Sequence, residues 1–117
     1  MAIAWKTEAD NLMIFIVSGK LDVNEMRTAQ AEAEASIQQL GRFSTLVLLQ
    51  DFSGWNSGSG WEDTSYADRH DASMDKMAVV GEGQWRDQVE MFTLKGMRPV
   101  EIEYFTDEVA ARAWLAE

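Results

Sequence analysis

Cysteine is absent from the 117 residues, and with it go any disulfide framework, thiolate metal site or thiol nucleophile. Histidine occurs once, at His70, so a transition-metal centre lacks its second imidazole. Basic residues are few: 10 Lys and Arg face 20 Asp and Glu, for a formal net charge of −10. Such a surface repels phosphate backbones and anionic headgroups, which argues against nucleic-acid binding and electrostatic docking on membranes. Long apolar runs are missing too. The longest, Leu12 to Val17, is far short of the ~20 residues that span a bilayer. The start, Met1 to Asp10, has no basic stretch leading into an apolar core, so no signal peptide is expected. With no cysteine, no leader and no transmembrane segment, the expected location is the cytoplasm.

Signatures of common chemistry are also lacking. Gly54, Gly58 and Gly60 have the wrong spacing for a dinucleotide fingerprint, and no lysine follows as in a phosphate loop. Ser57-Gly58-Ser59-Gly60 is not a nucleophile elbow and has no matching base. Asp51, Glu62 and Asp63 are acidic neighbours without calcium-loop spacing, so helix capping and solvation explain them better than a cation. The expectation is a non-enzymatic protein with no cofactor and no metal.

What is present is an alternation of short strands and amphipathic helices. Ile3 to Glu8 alternates apolar and polar, as an edge strand does. Asp10-Asn11 makes a turn into Leu12 to Val17, and so short a connection implies an antiparallel hairpin. Gly19 reads as the end of that strand. Asp22 followed by Glu25 is a variant capping box opening a helix, with Met26, Ala29, Ala33, Ile37 and Leu40 at helical spacing. Glu32, Glu34 and Gln38 belong to its outward face, and Gly41 stops it.

Thr45 to Leu49 is an apolar strand that ends at Asp51-Phe52, before a Gly, Ser and Trp-rich loop over Ser53 to Gly60. Trp61 to about Ser73 reads as a helix. Met77 to Val80 is a strand, and Trp85, Val89 and Phe92 share one face of a short helix. Val100 to Phe105, after the lone proline Pro99, is the last strand. Thr106 caps a final helix whose buried stripe is Val109, Ala113 and Trp114.

The order β-β-α-β-α-β-α-β-α over residues 1–117 implies one α/β domain. Its sheet is mixed and mostly parallel, five-stranded, with an antiparallel first strand and crossover helices. Apolar central strands need cover on both faces. If the helices lie mainly on one face, a second subunit must cover the other, so a homodimer is expected.

Three tryptophans, Trp55, Trp61 and Trp85, lie in or just after segments that follow strands. In parallel sheets these share the carboxyl edge, where ligands bind. The indoles can line an apolar pocket or a partner patch there, or simply cap the core. His70 falls between Tyr66 and Met74 on one helix face. It is a further candidate for binding a ligand or partner beside the tryptophans; no general-base partner is visible for it, and a packed, hydrogen-bonded histidine is the simpler reading.

An ordered set of short motifs resembles the SpoIIAA-like family, relatives of STAS and Sec14-type domains. Gly19-Lys20-Leu21 is similar to the family's exit from the second strand, and Leu46 to Trp55 to its strand and D-F-x-G-W turn. Trp61-Glu62-Asp63, His70, Met77 to Gly81 with Trp85, and Phe105 with Ala113-Trp114-Leu115 follow in the family's order.

The resemblance implies a STAS-like fold and, first, a regulatory module that binds a protein partner. It implies, second, a carrier or sensor of a small apolar, lipid-like molecule. A third implication is an anti-sigma-antagonist-like switch phosphorylated on serine, with Ser57 as the nearest acceptor. Here Asn56 stands where that turn carries an aspartate. A pocket at the tryptophan edge would favour the carrier or sensor, and a flat or convex apolar patch the partner module.

Overall fold

The computed structural model describes residues 3–9, 11–56 and 69–117. Five strands form one sheet whose spatial order follows the chain: β1 (Ile3–Glu8), β2 (Leu12–Leu21), β3 (Phe43–Trp55), β4 (Met74–Val80) and β5 (Glu101–Phe105). β1 pairs antiparallel with β2, and the remaining neighbours are parallel. The hairpin turns at Asn11, which takes a left-handed φ of 57°, a conformation asparagine tolerates. Its side-chain amide donates to the carbonyls of Leu40 and Arg42, so one residue ties the hairpin to the next crossover.

The longest helix, α1 (Val23–Leu40), opens where the sequence predicts. The Asp22 carboxylate accepts from the backbone N–H groups of Asn24 and Glu25. Ala29, Ala33 and Ile37 are buried against the sheet. α2 (Arg86–Phe92) buries Val89 on the same face. Consecutive parallel strands joined by right-handed crossovers place their connecting helices on one side of a sheet, and α1 and α2 do so.

The opposite face carries Ile14, Leu46, Leu48 and Ala78, and it is met by the terminal helix α3 (Glu108–Leu115) through Ala111, Trp114 and Leu115. Lys76 reaches across to donate to the Trp114 carbonyl at 2.8 Å, with its ammonium 4.8 Å from the indole centroid.

Several sequence expectations change. β2 does not end at Gly19 but runs to Leu21, and β3 runs to Trp55, so Ser53, Gly54 and Trp55 are strand residues rather than loop. A register irregularity makes this continuation: Gly19 at φ 64° lies opposite Phe52, and Asp51 sits at φ 52°. A bulge of this kind shifts the two-residue alternation. Phe52 therefore joins the core face of Val47 and Leu49 despite an odd offset from them.

On α3 Ala111 is buried and Trp114 and Leu115 are partly buried against the sheet, whereas Val109, 75% exposed, and Ala113 face outward. Its N-cap is Asp107, which accepts from the Ala110 N–H, not Thr106. Finally, Arg69 and His70 are helical and Asp71–Ser73 is a 3-10 turn. Met74, expected beside His70 on a helix, is the first residue of β4.

Candidate functional site

β3 ends among aromatic rings. Phe52 and Trp55, three residues apart, meet edge to face with centroids 5.1 Å apart. Trp85, on the 3-10 turn Gly83–Trp85 after β4, stands edge-on to Phe52 at 5.0 Å and to Trp55 at 6.1 Å. Phe92, from the end of α2, closes on Trp55 at 5.4 Å. Such edge-to-face pairs are each worth about 0.5–1.5 kcal/mol beyond the area they bury.

Two glycines admit this cluster. Gly54, at φ 106°, lies under the Trp85 ring, where an added Cβ would stand 3.5 Å from the indole. Gly81 ends β4 so close to its neighbours that a Cβ would lie 2.6 Å from the Tyr104 hydroxyl and 2.9 Å from Leu49. Burial pushes the Tyr104 phenol upward, against the Arg86 guanidinium held over its ring. The hydroxyl donates to the Glu82 carbonyl and so fixes the turn that carries Trp85.

Below the aromatic rim lies a cavity of about 200 Å³. Its floor is the core face of β2, β3 and β4, with Phe15, Val47, Leu49 and Val79 among the lining residues. Met26 and Gln30 of α1 form one wall, and Phe92, Thr93 and Leu94 at the end of α2 form another. Val47 and Leu49 occupy the middle strand of the sheet and are nevertheless only half-buried. A residue there is normally buried on both sides, so the cavity breaks the packing at the centre of the fold.

The α2 wall ends in a Schellman motif. The Lys95 N–H bonds the Glu90 carbonyl, and the Leu94 N–H bonds the Met91 carbonyl. The residue in the left-handed position is Leu94, at φ 58°, where glycine is usual. Met91, Leu94 and Met97 on this turn are 76%, 40% and 81% exposed.

Of the residues singled out in the sequence, the structure brings Trp55 and Trp85 together at the carboxyl edge. Trp61 and Ser57 lie outside the described residues. His70 is elsewhere: it packs edge-on to Phe43, at the start of β3 and the opposite end of the strand from Trp55. Only 6% exposed, it places Nε2 2.7 Å from the Glu34 carboxylate. A carboxylate only accepts, so Nε2 carries the proton and donates. The His70 hydrogen bond, aided by Arg69, holds the Glu34 carboxyl below its ordinary range. Glu34, expected on the outer face of α1, is thus the partner of His70. An open depression lies over this pair, remote from the aromatic rim.

Sequence reasoning missed Phe92, Leu94 and Arg98 as cavity residues. Arg98 forms a double hydrogen bond to Asp71 and donates to the Thr93 carbonyl. The positive φ of Leu94 leaves no trace in residue type, and nothing else in the sequence marks the turn. Among the described residues no group of acidic, histidine or cysteine side chains could hold a metal ion, and no helix is long and apolar enough to cross a membrane.

A mixed sheet with an antiparallel first strand, parallel successors in chain order and the crossover helices α1 and α2 on one side has the form of a SpoIIAA-type domain. The SpoIIAA-like family model matches residues 12–116, and the chain belongs to that family. Among solved structures it is similar to an uncharacterized protein of the DUF3478 family with a SpoIIAA-like fold from Shewanella loihica PV-4. That likeness has a TM-score of 0.68 and 21% identity, over 97% of this chain and 92% of that one. It is also similar to the Bacillus cell fate determinant SpoIIAA in its phosphorylated form, with a TM-score of 0.55 and 13% identity, over 97% and 99% of the two chains. No curated protein matches it.

Proposed function

We propose that this protein is a non-enzymatic regulatory module that senses a small apolar molecule in the cavity beneath Trp55 and presents the result to a protein partner. The observation that carries the reading is the cavity itself. Half-buried Val47 and Leu49 at the centre of a sheet forgo contacts that close packing would supply, and a domain that needed only stability would fill the space. A cavity of ~150 Å³ lined by aliphatic and aromatic groups holds benzene; this one, at about 200 Å³, has room for somewhat more. The sole histidine is engaged by Glu34 at the far end of β3, away from the cavity, which favours binding over catalysis.

The partner half of the reading rests on the exposed turn. Phe92 and Leu94 line the cavity and also stand partly in solvent beside Met91 and Met97. Methionine adapts to varied surfaces, and a change in cavity occupancy would move the wall on which this patch is built. Native mass spectrometry of the protein purified from its own host tests the proposal. A retained small molecule that is lost on denaturation supports sensing. A chain of bare mass, with no probe that shifts its melting temperature, contradicts it.

A further inference from the structure

Among the described residues five large apolar side chains are exposed, and four of them fall between Met91 and Met97: Met91, Phe92, Leu94 and Met97. Single exposed apolar residues are ordinary, but a cluster marks a surface that meets something. Backbone hydrogen bonds from Leu94 N–H to the Met91 carbonyl at 3.2 Å and from Met97 N–H to the Leu94 carbonyl at 2.9 Å fold the stretch into two successive tight turns. Both ends are tied to the body of the fold. Arg98 donates to the Thr93 carbonyl and to both carboxylate oxygens of Asp71. Lys95 reaches Glu103 on β5. The apolar side chains therefore stand on a fixed frame, and a surface held ready in this way loses little freedom when a partner covers it.

The charge beside them is acidic. Residues 86–103 hold four acids, Asp87, Glu90, Glu101 and Glu103, and three cations, Arg86, Lys95 and Arg98. The cations are engaged within the chain. Arg98 and Asp71 form a pair only 12% and 13% exposed. Lys95 lies 3.3 Å from Glu90 and 3.3 Å from Glu103, so one ammonium answers two carboxylates. Arg86 stands over the Tyr104 ring at 5.3 Å. Asp87 is exposed on α2, one helical turn before Met91. The whole chain adds a net charge of −10, and a field of that sign draws in a cationic partner and repels an acidic one.

We infer that the partner docks on this turn through a basic amphipathic segment. Its apolar side chains cover Met91, Leu94 and Met97, and its lysines or arginines face Asp87 and the Glu90–Lys95–Glu103 group. Methionine suits such an occupant, because its flexible thioether adapts to differently shaped apolar faces. The inference rests on the partner half of the function proposed above and names the chemistry of that partner.

Three dye-labelled amphipathic peptides test it. They share one leucine face and carry lysine, glutamine or glutamate on the other, and each is titrated into the full chain by fluorescence anisotropy. The lysine peptide should bind tightest and the glutamate peptide weakest. Met91→Gln combined with Met97→Gln keeps side-chain length on two positions 76% and 81% exposed, so the fold should stand. This double variant should bind the lysine peptide about 10-fold more weakly, as when residues at the centre of an interface are lost. Asp87→Asn should weaken it about 2–5-fold, the worth of an exposed ion pair, and added salt should abolish that difference. Equal binding of the three peptides, lost in the double variant, would overturn the basic chemistry and leave the partner role standing. No binding of any peptide, or binding that the double variant retains in full, would remove both. Binding to phosphatidylcholine vesicles in preference to the lysine peptide would make the occupant a lipid surface and overturn the inference as well.

Discussion

At the scale of single residues, the site depends on groups whose neighbours leave them no latitude. Gly81 is the clearest. A Cβ there would lie 2.6 Å from the Tyr104 oxygen and 2.9 Å from Leu49, and the tyrosine cannot retreat without losing the Glu82 carbonyl. Gly81→Ala should therefore destabilise the fold by roughly 1–3 kcal/mol, the usual cost of overpacking. Chemical denaturation measures this, and an unchanged midpoint would mean that the turn has slack.

Glu34 offers a prediction in pH. Its carboxyl is held below the ordinary value of 4.5, first by the His70 hydrogen bond and then by Arg69. A lowered folded-state value contributes stability that is fully present above the unfolded value and is lost as pH falls through the folded one. Melting of wild type and Glu34→Gln should thus differ at pH 6, and the gap should narrow below 4.5. A gap that widens on acidification would contradict the direction.

Elements were legible where a local rule acts alone. Asp22 with Glu25 announced α1, and its alanine and isoleucine stripe was read correctly. The parallel core strands were legible because they are apolar throughout. Their lengths were not. The bulge at Gly19 and Asp51 breaks the two-residue rhythm, so β3 looked finished at Asp51-Phe52 although parallel pairing carries it on to Trp55. On α3, Val109 looks buried because it is apolar, but the short helix packs over the middle of the sheet through Ala111, Trp114 and Leu115.

The same limit hid the cavity wall. Leu94 takes a position that favours glycine, and a left-handed backbone costs an ordinary residue about 1–2 kcal/mol. Strain of this kind collects at functional sites. Leu94→Gly should leave the melting temperature equal or higher, since a side chain 40% exposed has little packing to lose. A fall of several degrees would mean that Leu94 serves the core rather than the mouth of the cavity.

At the scale of the molecule, the two sheet faces are unequal. One holds α1, α2 and the cavity. Among the described residues the other is met by the eight-residue α3, and Leu12, Ile16 and Val80 remain only partly buried there. That asymmetry supports the homodimer expected from the sequence: the thinly covered face is where a second copy would gain most. Sedimentation equilibrium at micromolar concentration should give about twice 13.2 kDa. A monomer at every concentration would remove the dimer and leave the sensing role untouched.

The central claim is that the space under the aromatic rim is a working cavity and not a tightly packed core. Val47, half-buried on the middle strand with its side chain on the cavity floor, tests it most directly. In a close-packed interior, Val47→Phe would force neighbours off their rotamers at a cost of about 1–3 kcal/mol. That corresponds to a melting temperature lower by roughly 4 °C or more for each kcal/mol in a domain of this size. With about 200 Å³ to enter, the larger ring should be accommodated, and the melting temperature of Val47→Phe should equal or exceed that of the wild type. A clear fall would contradict the cavity.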